Sequence, residues 1–489
     1  MPDAGTCWRA LSSRDPSFDG RFFVGVRNTG LYCRPICPAR TPRRDRCEFF
    51  ARAAEAEREG YRACFRCRPE LAPGPGVVDA VPGLAGRAVA RIDEGFLQEG
   101  SVDDLAASLG VTAGKLRRAV AADLGVSILD LARSRRMALA TQLLRDSSLP
   151  LGEVAQAAGF ASVGGFNALL RDRFERSPSA LRRVQGAAPA GALVLRLDFR
   201  PPLDWEAMAE FMAGRCTAGV EQIEGGAYRR TVRLGERVGW VSLTRDPSRP
   251  ALLVEVSPTL VTALLPLVAR LRALFDLDAH PAVVAAALRL DPLLAPSVRQ
   301  NPGLRVTGAF DGFEAAVRVV LGQQVSVRAA TTVAGRVAAA LGEPVETPFP
   351  GLDRLPPTPD GVASAGEDRL ARIGMPGARA RTLIALARAV LCGELVLRRG
   401  ADPVQVRDRM LALPGVGPWT ANLVAMRALG APDAFPAGDL GVLRALGTKA
   451  AQDAEARAEA WRPWRAYAAM HLWNLPLSDR SARSRTSRE

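Results

Sequence analysis

Four cysteines near the start of the chain have the type and spacing to hold a metal. Cys33 and Cys37 form a C-x3-C pair in Tyr32-Cys33-Arg34-Pro35-Ile36-Cys37-Pro38-Ala39-Arg40, and Cys64 and Cys67 form a C-x2-C pair in Arg62-Ala63-Cys64-Phe65-Arg66-Cys67-Arg68. Two short-spaced pairs separated by a loop are what one tetrahedral Zn²⁺ requires. Arginines crowd both pairs, which sets such a site against a polyanion. On spacing alone, a purely structural zinc site is the simpler reading. A second stretch with chemistry in it is Leu413-Pro414-Gly415-Val416-Gly417-Pro418-Trp419-Thr420-Ala421, an L-P-G-x-G hairpin between two helices. Its glycines let backbone N–H groups approach a DNA phosphate, and the helix that follows favours an anion at its start. A simple hairpin of two helices would share this pattern. Asp439 follows in Phe435-Pro436-Ala437-Gly438-Asp439-Leu440.

The 489 residues are enough for three or four domains, and 48% are hydrophobic, so sizeable cores can form. The formal charge of +14 and the pI near 10.3 point to nucleic acid or another anionic surface. Nearly all of the positive charge is arginine, since Lys115 and Lys449 are the only lysines. The N-terminus lacks a signal-peptide pattern and no apolar run is long enough to span a bilayer, so a cytoplasmic location is expected. There, cysteines read as metal ligands or reactive thiols rather than disulfides. Cys7, Cys47, Cys216 and Cys392 have no paired spacing and read as ordinary thiols, with Cys47 close enough to the cluster to remain a candidate.

A Pro/Gly stretch, Ala72-Pro73-Gly74-Pro75-Gly76, closes a first unit at about residue 75. A helical unit over 82–184 follows, then a small Pro-containing linker at 185–191. Strand-like alternation begins at Leu193–Phe199 and recurs at Tyr228–Leu234, Val238–Thr244 and Leu252–Val256, with a helix expected over 258–275. From about 282 onward the pattern is again helical, with several short helices, and the Ser/Arg-rich tail 478–489 is expected to be disordered.

Within the helical unit, Val102–Thr112 reads as a helix ending at a glycine turn, with Ser101 as its N-cap, and Ala113–Val120 as a basic second helix. The arrangement recurs where Leu151–Phe160 leads through Ala161-Ser162 into Val163–Phe174. Two such helix-turn-helix units in tandem place two reading helices, with Lys115, Arg117 and Arg118 on the first. The stretch Gly159-Phe160-x5-Phe166-x7-Phe174-x2-Ser177-Pro178 resembles the DNA-binding domain of AraC-family regulators. Gly114–Arg118 and Val163–Asn167 would be the base-facing starts, while Glu175-Arg176 departs from that family's usual glycine. The resemblance implies promoter DNA and RNA polymerase as partners.

The residues around the cysteines, Asp19–Pro35 and Gly60-Tyr61-Arg62-x-Cys64-x2-Cys67-x-Pro69, resemble the N-terminal domain of the Ada adaptive-response protein. That resemblance implies that Cys33 accepts a methyl group irreversibly from a DNA phosphotriester while Cys37, Cys64 and Cys67 help it hold Zn²⁺. Four thiolates on Zn²⁺ sum to −2, and methylation lowers this to −1, so repulsion from phosphate falls and DNA affinity rises. Arg34, Arg40, Arg43, Arg44 and Arg46 would hold the backbone nearby. The O6-methylguanine acceptor of the full Ada protein sits in Pro-Cys-His-Arg. Neither His280 nor His471 follows a cysteine here, so that activity is expected to be absent.

The hairpin with its downstream Asp439 is the pattern of helix-hairpin-helix DNA glycosylases. Pro201–Trp205, Leu274–Leu277, Phe313-Glu314-x2-Val317-x3-Leu321-Gly322-Gln323, Gly374-Met375-Pro376 and Trp461-x-Pro463-Trp464-Arg465-x-Tyr467 resemble the AlkA-type 3-methyladenine branch over 193–477. A base alkylated at N3 or N7 is cationic, and the nucleotide must be flipped to reach it. The resemblance implies that Asp439 stabilises the oxocarbenium-like sugar and that Trp419, Trp473 and Phe211 stack on the base. Gly415, Gly417, Thr420 and Gln324 would contact DNA. Leu423 stands where the best-known relative has an aromatic pocket residue, and Gln324 where it has a Leu wedge. Relatives of the endonuclease III type place a nucleophilic Lys at the Trp419 position, and Trp cannot form a Schiff base, so base removal without strand cleavage is expected. Those relatives also hold an iron–sulfur cluster through cysteines after the catalytic Asp. No cysteine follows Cys392, so one Zn²⁺ and no cluster is the expected complement.

The expected architecture is multidomain. A small α/β zinc domain over 1–75 precedes an all-α tandem helix-turn-helix domain over 82–184. An α+β subdomain over 192–298 leads into an all-α helix-hairpin-helix glycosylase domain over 299–477. The reading is an alkylation-response fusion of methyl acceptor, regulator and monofunctional glycosylase. A regulator with an inactive glycosylase-like half is the alternative, and excision by wild type but not by Asp439→Asn separates the two.

Overall fold

The computed structural model describes residues 1–76, 83–174, 181–182 and 193–475. The expected linker at 185–191, Glu175-Arg176 with Ser177-Pro178, and the tail from 478 lie outside them. Two compact units result. The first comprises Met1–Pro201, Arg233–Arg272 and Leu277–Ala279, and the second Pro202–Val232, Ala273–Asp276 and His280 onward.

The first unit begins with helix Ala4–Ser13, whose N-cap Asp3 accepts from Gly5 and Thr6. A four-stranded sheet follows, built from β1 (Phe23–Val26), β2 (Leu31–Cys33), β3 (Cys47–Phe50) and β4 (Arg62–Ala63) in the order β3-β1-β2-β4. β1 pairs antiparallel with β2 and β3, whereas β2 and β4 run parallel with Tyr32 opposite Ala63. That register sets Cys33, the last residue of β2, beside Cys64, the first after β4. Gly25 of β1 is a glycine because a Cβ there would lie 2.8 Å from the rings of Phe50 and Tyr61.

The expected helices of the tandem unit are Val102–Ser108, Ala113–Leu124, Leu151–Ala157 and Val163–Phe174, with Gly83–Asp93 before them. The 19-residue helix Ile128–Asp146 links the two halves. Ser101 caps its helix as expected, in a capping box with Asp104, and Ser127 does the same with Asp130. Each such cap is worth about 1 kcal/mol. Leu116, Val120 and Leu124 on one reading helix and Phe166, Leu170 and Phe174 on the other recur at i, i+4 and i+8 and are buried. Lys115, Arg117 and Arg118 therefore face out. Strands β5 (Leu193–Asp198), β8 (Arg237–Arg245) and β9 (Ala251–Val256) also fall in this unit, as does helix Leu264–Leu274 except for its last two residues. β9 pairs antiparallel with both β5 and β8.

The second unit opens with helix Trp205–Ala213 and a hairpin of β6 (Glu221–Glu224) and β7, an eight-residue strand from Ala227 to Leu234. Gly225 and Gly226 turn it with φ of 59° and 76°, the mirror-image geometry that suits a two-residue hairpin. The alternation pattern does not reveal β6, because Glu221-Gln222-Ile223-Glu224 carries a single apolar side chain. In the first unit, the expected helix at 258–275 is a 3₁₀ turn, Pro258–Ala263, followed by Leu264–Leu274. The remainder is helical around one large core. Helix Gly312–Leu321 buries Phe313, Ala315, Ala316, Val317, Val319, Val320 and Leu321 at its centre. Helices Gly377–Leu391 and Pro418–Ala428 contribute further to that core.

Candidate metal centre, DNA-reading helices and base pocket

The sulfurs of Cys33, Cys37, Cys64 and Cys67 all lie within 4.8 Å of one another. Tetrahedral Zn–S bonds of about 2.3 Å put sulfurs about 3.8 Å apart, so the donor set fits one Zn²⁺. Cys47 sits on β3 outside the cluster, against the small core around Cys7 and Phe22. Hydrogen bonding from the Cys33 sulfur holds Cys37 and Cys64 below the ordinary thiol range, while Cys33 is raised by Cys37 and then Cys64. The cluster thus concentrates negative charge and shares protons, a condition that a divalent cation relieves. Cys33 is the partly exposed member, and the other three are buried.

Arg34 does not have the expected role of phosphate contact. Only 3% of it is exposed. Its guanidinium is chelated by Asp19, with Nε donating to Oδ1 at 2.9 Å, and Nη1 donates to Asp198 Oδ2 at 2.8 Å. Its backbone N–H donates to Cys67 Sγ at 3.3 Å. Burial works against its charge, but Asp19 and then Asp198 hold it firmly protonated. Arg40, Arg43, Arg44 and Arg46 are exposed.

In the second unit the hairpin joins helices Pro403–Leu411 and Pro418–Ala428. Gly415 has φ of 75°, and a Cβ there would lie 2.3 Å from Thr382 Oγ1. Thr382 Oγ1 donates to the Pro414 carbonyl at 2.9 Å, and Gln323 Nε2 donates to the Gly415 carbonyl at 2.9 Å. Thr420 differs from its expected place on the DNA face. It is 2% exposed, and its hydroxyl accepts from Gln323 Nε2 at 3.0 Å, so it braces the hairpin from within. Gly417 is open, with nothing within 4 Å of a Cβ placed there. Gln324 is exposed, with a left-handed φ of 55°, on a turn whose preceding carbonyl accepts from Arg379 at 2.6 Å.

Asp439 caps helix Leu440–Leu446 and does more than cap. Its Oδ1 accepts from the Gly441 and Val442 amides at 2.8 and 3.1 Å and from Trp473 Nε1 at 2.8 Å. Its Oδ2 accepts only the longer bond from Trp419 Nε1, at 3.3 Å. One carboxylate oxygen is therefore anchored by three donors, and the other is held loosely by the Trp419 indole alone. Gly441 leaves room for this, since a Cβ would meet Trp473 Cδ1 at 2.9 Å. Phe211 and Trp473 lie nearly parallel, with centroids 6.4 Å apart and planes at 17°. Trp419, Trp473 and Phe211 are all half-buried, as is Leu423 against the core.

Two residues at this place were not anticipated from sequence. The Arg215 guanidinium lies 3.7 Å from the Phe211 ring centroid, and Arg427 lies 5.1 and 5.5 Å from those of Phe211 and Trp473. Burial, and then repulsion from Arg215, lowers Arg427 to about 9, with Asp439 opposing. Arg215 is lowered by burial and then by Arg318, again with Asp439 opposing. Arg215 stands i+4 from Phe211, a spacing that could have flagged it.

A four-thiol centre, tandem reading helices and a hairpin-plus-aspartate pocket define a fusion of a metal-binding sensor, a DNA-reading regulator and a base-excision module. The family matches agree with each part. They are the metal binding domain of Ada over 6–70, a helix-turn-helix domain over 105–184, the AlkA N-terminal domain over 194–311, and the HhH-GPD superfamily of base excision DNA repair proteins over 317–466. The chain is 43% identical over 484 residues, covering 96% of both proteins, to a "Probable bifunctional transcriptional activator/DNA repair enzyme AlkA" of Mycobacterium tuberculosis (strain CDC 1551 / Oshkosh). The "DNA-3-methyladenine glycosylase 2" of Escherichia coli (strain K12) is 36% identical over 278 residues, 57% of this chain and 95% of that protein. The 3-methyladenine DNA-glycosylase of Archaeoglobus fulgidus shares the fold, with a TM-score of 0.51 at 23% identity over 59% of this chain and 98% of that one. The chain belongs to the family of bifunctional AlkA-type transcriptional activator/DNA repair proteins. Among the described residues, no helix is long and apolar enough to cross a membrane.

Proposed function

We propose that this chain senses alkylated DNA through Cys33 and excises alkylated bases through Asp439. The observation that carries the excision reading is the Asp439 carboxylate, whose Oδ1 accepts from Trp473 and whose Oδ2 has only the single long hydrogen bond from Trp419. A carboxylate held in this way keeps an electron-rich oxygen for the sugar as positive charge develops at C1′. The flipped base stacks on Trp419, Trp473 and Phe211. As the N-glycosidic bond breaks, its electron pair goes to the base. Water adds to C1′ and releases a proton. With Trp419 beside the carboxylate and no lysine there, the strand is left intact. Gly415, Gly417 and Gln324 meet the DNA backbone and the emptied stack.

In the sensor, bound Zn²⁺ keeps the cysteine sulfurs as thiolates. The partly exposed Cys33 attacks the methyl carbon of a phosphotriester. The S–C bond forms as the C–O bond breaks, leaving a thioether and a phosphodiester anion. Arg40 and Arg44 hold the phosphates, and Lys115, Arg117 and Arg118 read the promoter for RNA polymerase.

The test is incubation of full-length protein with methylated duplex DNA, measuring released base and protein-bound methyl together. Asp439→Asn abolishes base release and keeps methyl uptake, and Cys33→Ala does the reverse. Base release undiminished in Asp439→Asn, or phosphotriester methyl uptake undiminished in Cys33→Ala, refutes the corresponding assignment. No base release by wild type would leave the chain a regulator with an inactive glycosylase-like half.

A further inference from the structure

Gln323 joins two loops that are far apart in the chain. It sits in the turn between helices Gly312–Leu321 and Val327–Leu341, and Gly415 of the hairpin lies 92 residues further on. A glutamine amide has two hydrogens to donate. Both go to the hairpin, one to the Gly415 carbonyl at 2.9 Å and one to the Thr420 hydroxyl at 3.0 Å. The Gln323 backbone is fixed as well. Its N–H donates to the Val320 carbonyl at 3.2 Å, and its carbonyl accepts from Arg379 Nη2 at 2.6 Å. Arg379 stands on helix Gly377–Leu391 three residues before Thr382, which holds the Pro414 carbonyl at 2.9 Å. One face of one helix thus grips both the turn and the hairpin. The next residue, Gln324, has a left-handed φ of 55°. That conformation is unfavourable for any residue with a Cβ and persists where the surroundings enforce it. Val325 and Val327 beyond it are 40% and 47% exposed, so the turn carries aliphatic side chains outward beside its polar tip.

We propose that Gln323 is a positioning residue that makes the turn and the hairpin one rigid piece, so that capture of a phosphate by the hairpin drives the turn into the base stack. The proposal rests on the reading above that the hairpin meets the DNA backbone and Gln324 the emptied stack. Extruding a paired nucleotide requires unpairing and unstacking. Binding energy gained at a remote phosphate offsets that work only if the element entering the stack cannot recoil. The bonds from Gln323 and Arg379 prevent recoil. In this role Gln323 need touch neither base nor sugar. Its loss should therefore matter in proportion to the work of extrusion, and little where the lesion is already unpaired.

The experiment uses full-length protein and two duplexes with a single 7-methylguanine, one with the lesion paired to cytosine and one with it inside a short mismatched loop. Gln323→Met and Gln323→Glu both remove the amide donors. Each should lower kcat/KM at least about tenfold on the paired lesion and by less than about threefold on the looped one. Arg379→Met, which frees the same turn from its other side, should show the same split. On the paired lesion, adding Gln323→Met to Gln324→Ala should cost little beyond the larger single loss, because Gln323 acts through the turn. Equal losses on both duplexes, as misfolding would give, overturn the proposal. So do additive losses in the double variant, or no loss at all. Full activity of Gln324→Ala on the paired lesion removes the inserted residue and the proposal with it. If wild type releases no base from either duplex, the glycosylase reading itself fails before any variant is compared.

Discussion

Arg34→Met should destabilise the zinc module severely while leaving its attraction for DNA phosphate intact. Arg34 and Asp19 are each 3% exposed and Asp198 is 8% exposed, so removing the guanidinium strands the buried Asp19 carboxylate and leaves Asp198 only its 2.8 Å pair with Arg196. Breaking a buried pair in this way costs about 3–5 kcal/mol. With a urea m-value of about 1–3 kcal/mol/M, the unfolding midpoint should fall by on the order of 2 M. The assay is urea unfolding of the full-length chain, monitored by Zn²⁺ release to a colorimetric chelator. Arg34→Lys keeps the charge but loses the fork that meets both carboxylates, and should fall between wild type and Met. Arg34→Met combined with Asp19→Leu should regain much of the loss, because no carboxylate is then stranded and Asp198 keeps its pair with Arg196. The salt dependence of DNA binding separates a buried structural arginine from one that binds phosphate. Neutralising a side chain that pairs with a phosphate lowers the log–log slope by about 0.9. Arg44→Met should show that drop and Arg34→Met should not. A midpoint shift below about 0.3 M, or a slope change of about one for Arg34→Met, would refute the reasoning.

Gly415→Ala forces a Cβ into left-handed backbone 2.3 Å from Thr382 Oγ1, at a backbone cost of about 1–2 kcal/mol. It should lower excision kcat/KM at least about tenfold, and adding Thr382→Ala should restore part of it, measured on a methylguanine duplex. His471 is 3% exposed, its Nδ1 lies 3.0 Å from Ser297 Oγ, and burial lowers its pKa to about 4. Its folded pKa lies below its unfolded value, so its contribution is present above about pH 6.5 and lost as pH falls toward 4, about 3 kcal/mol in all. His471→Gln should flatten the melting-temperature profile across that window. Substituting both Lys115 and Arg118 by Gln should reduce the salt slope of promoter binding by nearly two and leave excision unchanged.

Much of the site was legible because its chemistry depends on short spacings. The cysteine pairs, the Pro-Gly-x-Gly hairpin and the Ser101 cap each lie within a few residues, and local geometry fixes them. What escaped was set by distant partners. Arg34 reads as one more surface arginine until Asp198, 164 residues away, is brought against it. Thr420 lies in a DNA-facing motif, yet Gln323, 97 residues earlier, takes its hydroxyl inward. β6 was missed because its alternation is mostly polar. Arg215 was overlooked because an arginine after a helix usually means solvent, and only the Phe211 ring gives it another meaning.

The parallel pairing of β2 with β4 has a consequence for the life of this protein in the cell. The pairing spans only Leu31–Arg62 and Tyr32–Ala63, and the apolar clusters beside it hold five and four buried residues. Such a patch closes weakly by itself, so metal coordination acts as the staple that completes it. The excision half rests on a far larger apolar core, and no second metal-ligand cluster occurs among the described residues. Zinc supply thus sets a hierarchy between the halves. In a metal-starved cell the chain would lose its means of reporting damage before it lost its means of removing it.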